Sequence, residues 1–294
     1  MFRFLYLSLK SINMILIADS GSTKTEWIVL ENNKNTRTFF TSGFNPYYFK
    51  QDEIERILSK ELPSDLKYSE IDKIIYYGSG CSTEYNISIV LNAFRIVFET
   101  PEIIINHDLM AAVHALLGRN TGIACILGTG SNSCAYDGKN IIQQVPSLGY
   151  LLGDEGSATA IGKKLITSII YQEAPEDLIN TFHETFNLTL SQILDAIYRK
   201  EKPGVFLSSF SRFVGIHISH PFCRKIVENV FDDFIHIQLS KYDNYLKLPV
   251  SFTGSVAFNF SEILKERLAK QGIIMGKILA SPAEGLITFY TETM

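Results

Sequence analysis

The alternation of apolar and polar positions divides the first part of this chain into segments of strand and helix length. An apolar run beginning at Met14 is followed by a polar turn, and two further strands are predicted over 27–31 and 36–41. The periodicity then predicts helices over 51–61, 84–98 and 109–117, and strands over 71–77 and 103–105. Antiparallel strands followed by alternating helices and strands indicate an α/β unit.

The second part of the chain begins with the same pattern. From Gly122, an apolar strand, a glycine-rich turn and a second strand follow one another again. The later predicted elements are helices over 154–171, 175–186, 190–200, 220–242, 260–270 and 283–291, and a strand over 248–253. We therefore expect two similarly built domains, 14–118 and 119–294. Whether the last helix packs back on the first domain is left open.

Charge and cysteine content narrow the classes of function. The 294 residues carry a net charge of −4, which gives no electrostatic reason to expect a nucleic acid or an anionic membrane as partner. The four cysteines are scattered, without a CxxC pair, so a structural zinc site is not expected. Reduced thiols and a cytoplasmic location are the simpler expectation.

The segment 1–13 has some features of a signal peptide but not the decisive ones. Its apolar stretch is cut short by Lys10, and it has no small-residue cleavage site. Met14 stands immediately before the first strand, so we interpret residues 1–13 either as an extension or as the result of a mis-assigned start, with Met14 as the first residue of the native protein. No segment of the chain approaches the ~20 apolar residues of a membrane span.

The first polar turn is a candidate phosphate-binding site. After the strand come Asp19, Gly21, Ser22, Thr23 and Lys24. Glycine lets the backbone approach an anion closely, and hydroxyl and N–H groups bind its oxygens. A carboxylate beside such a turn is suited to Mg²⁺ bound through water. The alternative is a hairpin tip closed by local hydrogen bonds, and the spacing does not match a Walker A loop.

The second glycine-rich turn has the same chemistry. Gly128, Thr129, Gly130 and Ser131 follow an apolar strand, and Asn132 comes next. A plain glycine-rich hairpin would have a similar sequence. Two such turns, each between strands and about a hundred residues apart, predict two half-sites for one polyphosphate.

Three further positions are candidates for chemistry. Asp108 lies between an apolar strand and a helix, where it is either a helix cap or a group at the edge of a binding crevice. Asp154 and Glu155 are predicted to begin a helix, where acidic residues are favoured, or to bind sugar hydroxyls. A late strand enters the small-residue turn 254–257, which has room for an adenine or is a plain strand-to-helix turn.

In their order along the chain, these motifs resemble the sugar kinase–Hsp70–actin superfamily. The motifs are DxGSTKT, Asn-His-Asp after a strand, GTGSN, GDEGS and a late TGS. Within the superfamily the chain resembles N-acetylglucosamine kinases and the related BadF/BadG/BcrA/BcrD ATPase group, from residue 14 to about 286. The resemblance implies an α/β fold of two ribonuclease-H-like domains, each with a mixed sheet, and an ATP cleft between them.

The resemblance also implies roles for individual residues. Asp108 would be the catalytic base, and Asp19 would hold Mg²⁺ through water. The residues implied for ATP are Asp19, Gly21, Ser22, Thr23, Lys24, Gly128, Thr129, Gly130, Ser131, Gly254, Ser255 and Ala257. Those implied for the sugar are Asn45, Asp108, Asn132, Tyr150 and Asp154. Which of the two carboxylates of the GDEGS motif faces the sugar is left open.

The implied activity is the ATP-dependent phosphorylation of an amino sugar in the cytoplasm, with N-acetylglucosamine as the first candidate acceptor. Glucosamine and N-acetylmuramate are alternative acceptors, and an ATPase that activates a dehydratase is an alternative of another class. The expected partner is the small sugar alone, without nucleic acid or membrane, and a homodimer is one open arrangement.

Overall fold

The computed structural model of this protein describes residues 14–21, 24–32, 34–99 and 102–292. The interpretation of residues 1–13 lies outside this part of the chain. The described chain forms two compact units. The first contains the residues up to Ala111 together with those from Ala283 onward, and the second runs from Ala112 to Pro282. The predicted domain division after residue 118 stays a prediction.

The first unit is built on a mixed sheet of five strands. The strands are β1 (Met14–Ser20), β2 (Lys24–Glu31), β3 (Lys34–Ser42), β4 (Lys73–Gly78) and β5 (Glu102–His107). Their spatial order is β3-β2-β1-β4-β5. The first three are antiparallel, whereas β4 runs parallel to β1 and β5 parallel to β4. Because β1, β4 and β5 are parallel, their carboxyl ends lie at one edge of the sheet.

Helices complete the first unit. They are α1 (Gln51–Glu61), α2 (Glu84–Val97), the beginning of α3 (Asp108–Leu116), a 3₁₀ turn (Tyr68–Glu70) and the helix Ala283–Glu292. An aromatic core lies beneath α1 and α2, where Trp27 stacks on Phe94 at 6.0 Å between ring centroids. The buried indole N–H of Trp27 donates to Thr41 Oγ1 at 2.9 Å, so its one polar atom is satisfied.

The sheet of the second unit has the same topology. Its strands are β6 (Gly122–Leu127), β7 (Ser131–Tyr136), β8 (Ile141–Gln144), β9 (Val250–Thr253) and β10 (Met275–Leu279). Their order is β8-β7-β6-β9-β10, with an antiparallel first trio and two parallel additions. Each unit therefore has the order 3-2-1-4-5 in its own numbering. This confirms the predicted α/β class with a mixed sheet in each half.

The helices of the second unit pack on this sheet through an extended apolar core. They are α4 (Gly149–Leu152), α5 (Ala158–Ile170), α6 (Glu176–Phe186), α7 (Leu190–Tyr198), α8 (Pro203–Ser209), α9 (Ser211–Ile216), α10 (Pro221–Ile237), α11 (Ser255–Asn259) and α12 (Ser261–Lys270), with a 3₁₀ turn over Leu239–Lys241. The helix Ala283–Glu292 of the first unit is α13. No helix within the described residues is long and apolar enough to cross a membrane.

Two predicted helices of the second unit differ from the structure. The helix predicted from residue 154 begins at Ala158, because Ser157 Oγ caps it by accepting from the N–H of Ala160. The helix predicted over 220–242 ends at Ile237, and a 3₁₀ turn follows. The sequence pattern also missed several short elements, namely α4, α8, α9, α11, β8 and β10.

The packing of α5 on α8 generates the first prediction. A Cβ at Gly162 would lie 1.9 Å from the carbonyl oxygen of Leu207, so Gly162→Ala has to separate the two helices. We expect the free energy of unfolding to fall by about 1–3 kcal/mol, although alanine has the higher helix propensity. Urea denaturation measures it. Gly215→Ala on α9 is the matched control, because its nearest neighbour would lie at 3.5 Å. Equal stabilities of the two variants would contradict the packing argument.

Candidate functional site

The first predicted phosphate turn joins β1 to β2. Asp19, near the end of β1, pairs with Glu26 across the hairpin, and the N–H of Gly21 donates to the carbonyl of Lys24 at 3.0 Å. The buried hydroxyls of Ser20 and Thr25 lie 2.7 Å apart and share a hydrogen bond beneath the turn. Among the described residues, the hairpin is therefore closed by its own backbone and hydroxyl groups.

Lys24 lies at the start of β2, and its ammonium group lies over the ring of Phe40. Its Nζ is 4.1 Å from the centroid of the half-exposed Phe40 ring, a cation–π contact. The ring holds the positive charge beside the turn. The predicted turn residues Ser22 and Thr23 lie outside the described residues.

Asp19 and Asp108 form a pair of interacting carboxyl groups at the carboxyl edge of the first sheet. Asp108 directly follows β5 and starts α3, and β4 lies between β1 and β5. Burial, and then the charge of Asp108, raise the pKa of Asp19 to about 7. Burial also raises the pKa of Asp108 to about 6, opposed by the N–H of Leu109, which donates to Oδ1 at 2.9 Å. Asp108 is thus both a local cap and an acid–base group that titrates near neutrality.

Asn45 lies in the loop after β3, as predicted. Phe44 anchors this loop by stacking on Tyr76 at 5.6 Å between centroids. The Asn45 side chain accepts from the N–H of Tyr47 at 3.0 Å. It lies against Gly80, where a Cβ would be 2.1 Å from Asn45 Oδ1. The loop and the turn after β4 therefore fit together only because residue 80 has no side chain.

The second predicted phosphate turn joins β6 to β7 and is held by the N-terminus of α5. The N–H groups of Ala158 and Thr159 donate to the carbonyls of Gly128 and Thr129, and the Thr159 hydroxyl donates to Thr129 at 2.7 Å. With these carbonyls engaged, the N–H groups of Thr129 and Gly130 have no hydrogen-bond partner within the described residues. Paired N–H groups of this kind are suited to an anion.

Asp154 contacts the same turn. It has a left-handed backbone, φ 62°, and its Oδ1 accepts from the N–H of Ser131 at 3.1 Å. Its carboxyl also lies where a Cβ of Gly130 would be. Burial raises its pKa, and the Ser131 N–H opposes that shift. Its neighbour Glu155 instead accepts from the amide of Gln238, directly after α10, at 3.2 Å.

The two other predicted sugar residues of the second unit, Asn132 and Tyr150, come before and after β8 along the chain. Asn132 on β7 accepts through Oδ1 from the N–H of Ser133 and from the amide of Gln144. Its NH₂ group is therefore the end that remains to donate. Tyr150 is on α4, and its carbonyl accepts from the ammonium of Lys163 at 2.7 Å.

The predicted adenosine residues follow β9. Gly254 has φ 114°, and a Cβ there would lie 2.4 Å from the carbonyl oxygen of Leu127, so only glycine fits beside the second turn. Ser255 is exposed at the start of α11. Ala257 is buried and belongs to the apolar core.

No group of three or more metal-ligating side chains occurs among the residues that the structure describes. A complete protein cage for a metal is therefore absent from this part of the chain. Asp19 offers a hard oxygen ligand beside a second carboxyl, and this donor chemistry fits Mg²⁺ held largely by water and phosphate oxygens.

Three supporting contacts were not predicted from the sequence. The carboxylate of Glu61 accepts from both the N–H and the hydroxyl of Ser42, at the start of the Asn45 loop. The buried amide of Asn86 donates to the turn after β4. The hydroxyls of Tyr77 and Tyr290 lie 2.5 Å apart and join β4 to α13. Two of these contacts join residues that are distant in sequence, and the third is made to a backbone carbonyl in a loop. No local sequence pattern could have indicated them.

Comparison with solved structures places this chain in a known class. A protein from Porphyromonas gingivalis, described as a candidate N-acetylglucosamine kinase, is 40% identical, with a TM-score of 0.91 over 95% of this chain and 99% of that one. A candidate N-acetylglucosamine kinase from Chromobacterium violaceum is 15% identical, with a TM-score of 0.68 over 95% and 99%. MreB 5 of Spiroplasma citri, bound to AMPPNP, is 11% identical, with a TM-score of 0.54 over 96% and 95%.

The fold is therefore one that this chain shares with the two candidate kinases and with MreB 5. The identity and coverage show that this chain belongs to the same family as the Porphyromonas gingivalis protein. Protein-family models and curated protein sequences give no match. The closer resemblance to the BadF/BadG/BcrA/BcrD group stays a prediction.

The carboxyl pair generates the second prediction. Because the folded pKa of Asp19 is raised to about 7, its stabilising contribution is complete below about pH 4 and is lost as the pH rises through 7. Asp19→Asn cannot ionise, so we expect its Tm at pH 8 to exceed that of the wild type by about 2–4 °C, the shift produced by roughly 1 kcal/mol.

Melting curves between pH 4 and pH 8 measure this difference. Asp52→Asn removes an exposed carboxyl on α1 that is ion-paired with Arg56, and it is the control for the loss of a carboxyl away from the sheet edge. An Asp19→Asn variant that melts below the wild type at pH 8 would show that the ionised carboxyl stabilises the fold.

Proposed function

We propose that this protein is a kinase that transfers the γ-phosphoryl group of ATP to an amino sugar, with N-acetylglucosamine as the first candidate acceptor. The 40% identity to the Porphyromonas gingivalis protein supports the choice of sugar. The observation that carries the chemistry is Asp108. It lies at the carboxyl edge of the sheet, beside the first phosphate turn, and has a pKa raised to about 6.

In the proposed mechanism Asp108 acts as the general base. With a pKa of about 6 it is mostly ionised at pH 7, yet basic enough to accept a proton from a sugar hydroxyl as the phosphoryl group moves. Phosphoryl transfer relies mainly on positioning and charge neutralisation. Mg²⁺, when bound through water near Asp19, supplies charge neutralisation for the phosphate oxygens.

The two turns are proposed to bind the phosphates of one ATP. In the first unit the groups are those of Gly21, Ser22, Thr23 and Lys24. In the second they are the N–H groups of Thr129 and Gly130 and the neighbouring Gly128 and Ser131. Gly254 and the residues of α11, Ser255 and Ala257, are proposed to lie along the adenosine.

Amide and carboxyl groups of each unit are proposed as contacts of the acceptor. Asn45 and Asn132 each have an amide oxygen already engaged, so each would donate through its NH₂ group. Asp154 has Oδ1 on the Ser131 N–H, which leaves Oδ2 for a sugar hydroxyl. Tyr150 is proposed to pack beside the N-acetyl group.

The dehydratase-activator alternative is disfavoured by the cysteines. That role requires thiolates that bind a cluster at a subunit boundary. All four cysteines are buried, and Cys125 and Cys134 lie on neighbouring strands of the second sheet. Burial, and then the neighbouring Cys134, raise the pKa of Cys125 well above its usual range. Reduced thiols fit the proposed cytoplasmic location. The oligomeric state stays a prediction.

A coupled ADP-release assay with ATP and Mg²⁺ tests the proposed function. The acceptor panel holds N-acetylglucosamine, glucosamine, N-acetylmuramate, N-acetylmannosamine and glucose. Selective turnover of N-acetylglucosamine supports the proposal as stated. Selectivity for another amino sugar keeps the kinase and changes the acceptor, and ADP release that no sugar accelerates contradicts the kinase.

The third prediction concerns the base. We expect Asp108→Asn to lower kcat by about 10²–10⁴, the usual contribution of a positioned base, with little change in sugar affinity measured by calorimetry. The wild-type kcat should fall as the pH drops through about 6, where Asp108 becomes protonated. Asp52→Asn is the control for a lost carboxyl. An Asp108→Asn variant with near-normal kcat would exclude Asp108 as the base.

A further inference from the structure

The turn after β4 is held by a buried asparagine to which the proposed mechanism gives no role. Asn86, on the first turn of α2, is 4% exposed, and its backbone N–H donates to Thr83 Oγ1, the helix cap. Its side-chain Nδ2 donates to the carbonyl of Gly80 at 2.8 Å. A buried amide is costly unless it is hydrogen-bonded, so this side chain is better explained by what it holds than by packing alone.

Gly80 in turn determines where the Asn45 side chain can lie. Residue 80 has φ 82°, and a Cβ there would be 2.1 Å from Asn45 Oδ1 and 2.7 Å from its Cγ. The Asn45 amide therefore packs directly against the backbone of Gly80. A shift of that backbone toward the amide would displace it.

The orientation of the Asn45 amide follows from its other contact. The N–H of Tyr47 is a donor, so the atom that it faces at 3.0 Å is the amide oxygen. The NH₂ end is left to donate to an oxygen of a ligand. Asn45 is thus a hydrogen-bond donor. The N–H of Tyr47 determines which end of its amide donates, and the contact with Gly80 determines where that end lies.

The same turn also lies close to Asp108. The thiol of Cys81 is 2% exposed, and burial, together with the charge of Asp108, raises its pKa to about 12. The turn 78–81 therefore contacts Asn45 and lies within the electrostatic field of Asp108, which are both proposed acceptor residues.

We propose that Asn86 is a positioning residue for the acceptor: by fixing the carbonyl of Gly80 it fixes the direction in which Asn45 donates to a sugar hydroxyl. This inference rests on the proposed function. It adds a residue on a helix, outside the predicted motifs, whose side-chain hydrogen bond leads to the proposed acceptor residue Asn45. Asn86 itself has no hydrogen bond to either proposed phosphate turn in the described structure, and the turn that it holds meets the first of them through the N–H of Ser79, which donates to the carbonyl of Ser20 at 2.9 Å.

The fourth prediction compares two asparagines of the same helix. Asn86→Asp replaces the NH₂ donor by an oxygen that faces the Gly80 carbonyl, and Asn92→Asp makes the same chemical change at an exposed position. We expect Asn86→Asp to raise the KM of the preferred sugar about 10-fold, the effect of one lost buried hydrogen bond, with the KM of ATP within about 2-fold of wild type. Asn92→Asp should match the wild type in both constants.

A double-mutant cycle separates positioning from general loosening of the fold. If Asn86 acts through Asn45, then Asn86→Asp should have little further effect on sugar affinity in an Asn45→Ala background. Calorimetric titration of the sugar without ATP provides the affinities independently of turnover. Gly80→Ala is the second variant, and it should weaken sugar binding in the presence of Asn45 but not in its absence.

The outcomes distinguish this inference from the proposed function. Equal rises in the KM of sugar and ATP, or an undiminished effect of Asn86→Asp in the Asn45→Ala background, overturn the positioning role while the kinase stands. A wild-type protein that neither binds nor phosphorylates any sugar of the panel overturns both.

Discussion

Two like charges at one edge of a sheet are the constraint around which the first unit is organised. Asp19 and Asp108 are both withdrawn from water, and ionisation of Asp108 makes ionisation of Asp19 harder. Near neutrality the pair is therefore poised to lose its second proton, and a nearby positive charge favours that loss. Lys24, held over Phe40, already acts in this sense on Asp19. A cation beside these two carboxyl groups would favour their ionised forms, and an ionised carboxyl could accept a proton from an acceptor.

Glycine shapes the polar surroundings of both units in a particular way. At Gly80 and Gly130 the space of the missing Cβ is occupied by a polar side chain, that of Asn45 or Asp154. At Gly130 no positive φ is involved, and a Cβ would lie 2.8 Å from Asp154 Oδ1, so a side chain there would displace the carboxyl. In both cases an amide or carboxyl that we propose to bind the acceptor lies directly on a backbone turn, and contact as well as hydrogen bonds restricts its position.

The sequence was sufficient to predict the elements that depend on local patterns of apolar residues and glycines. The periodicity placed α1 over its observed residues, and the two glycine-rich turns lie between strands as expected. It failed where elements are short or where a turn competes with a helix. Strands such as β8, of four residues, are too brief for a periodic signal. Asp154 looked like a helix start, but Gly156, with φ 80°, extends the turn until Ser157 caps α5. Asn86 could not be recognised, because the sequence does not reveal which carbonyl a buried amide will meet.

The position of α13 has a consequence for how the protein is made. This helix packs on β2 and β3 of the first unit, and Tyr290 shares a hydrogen bond with Tyr77 of β4. Residues 283–292 are synthesised only after the whole of the second unit. During translation the sheet of the first unit therefore emerges early with one of its packing partners missing, while the second unit has all of its residues before α13 appears. The unit that carries the carboxyl pair would be the last to be completed, so a chain that lacks α13 would lack one packing partner of that sheet.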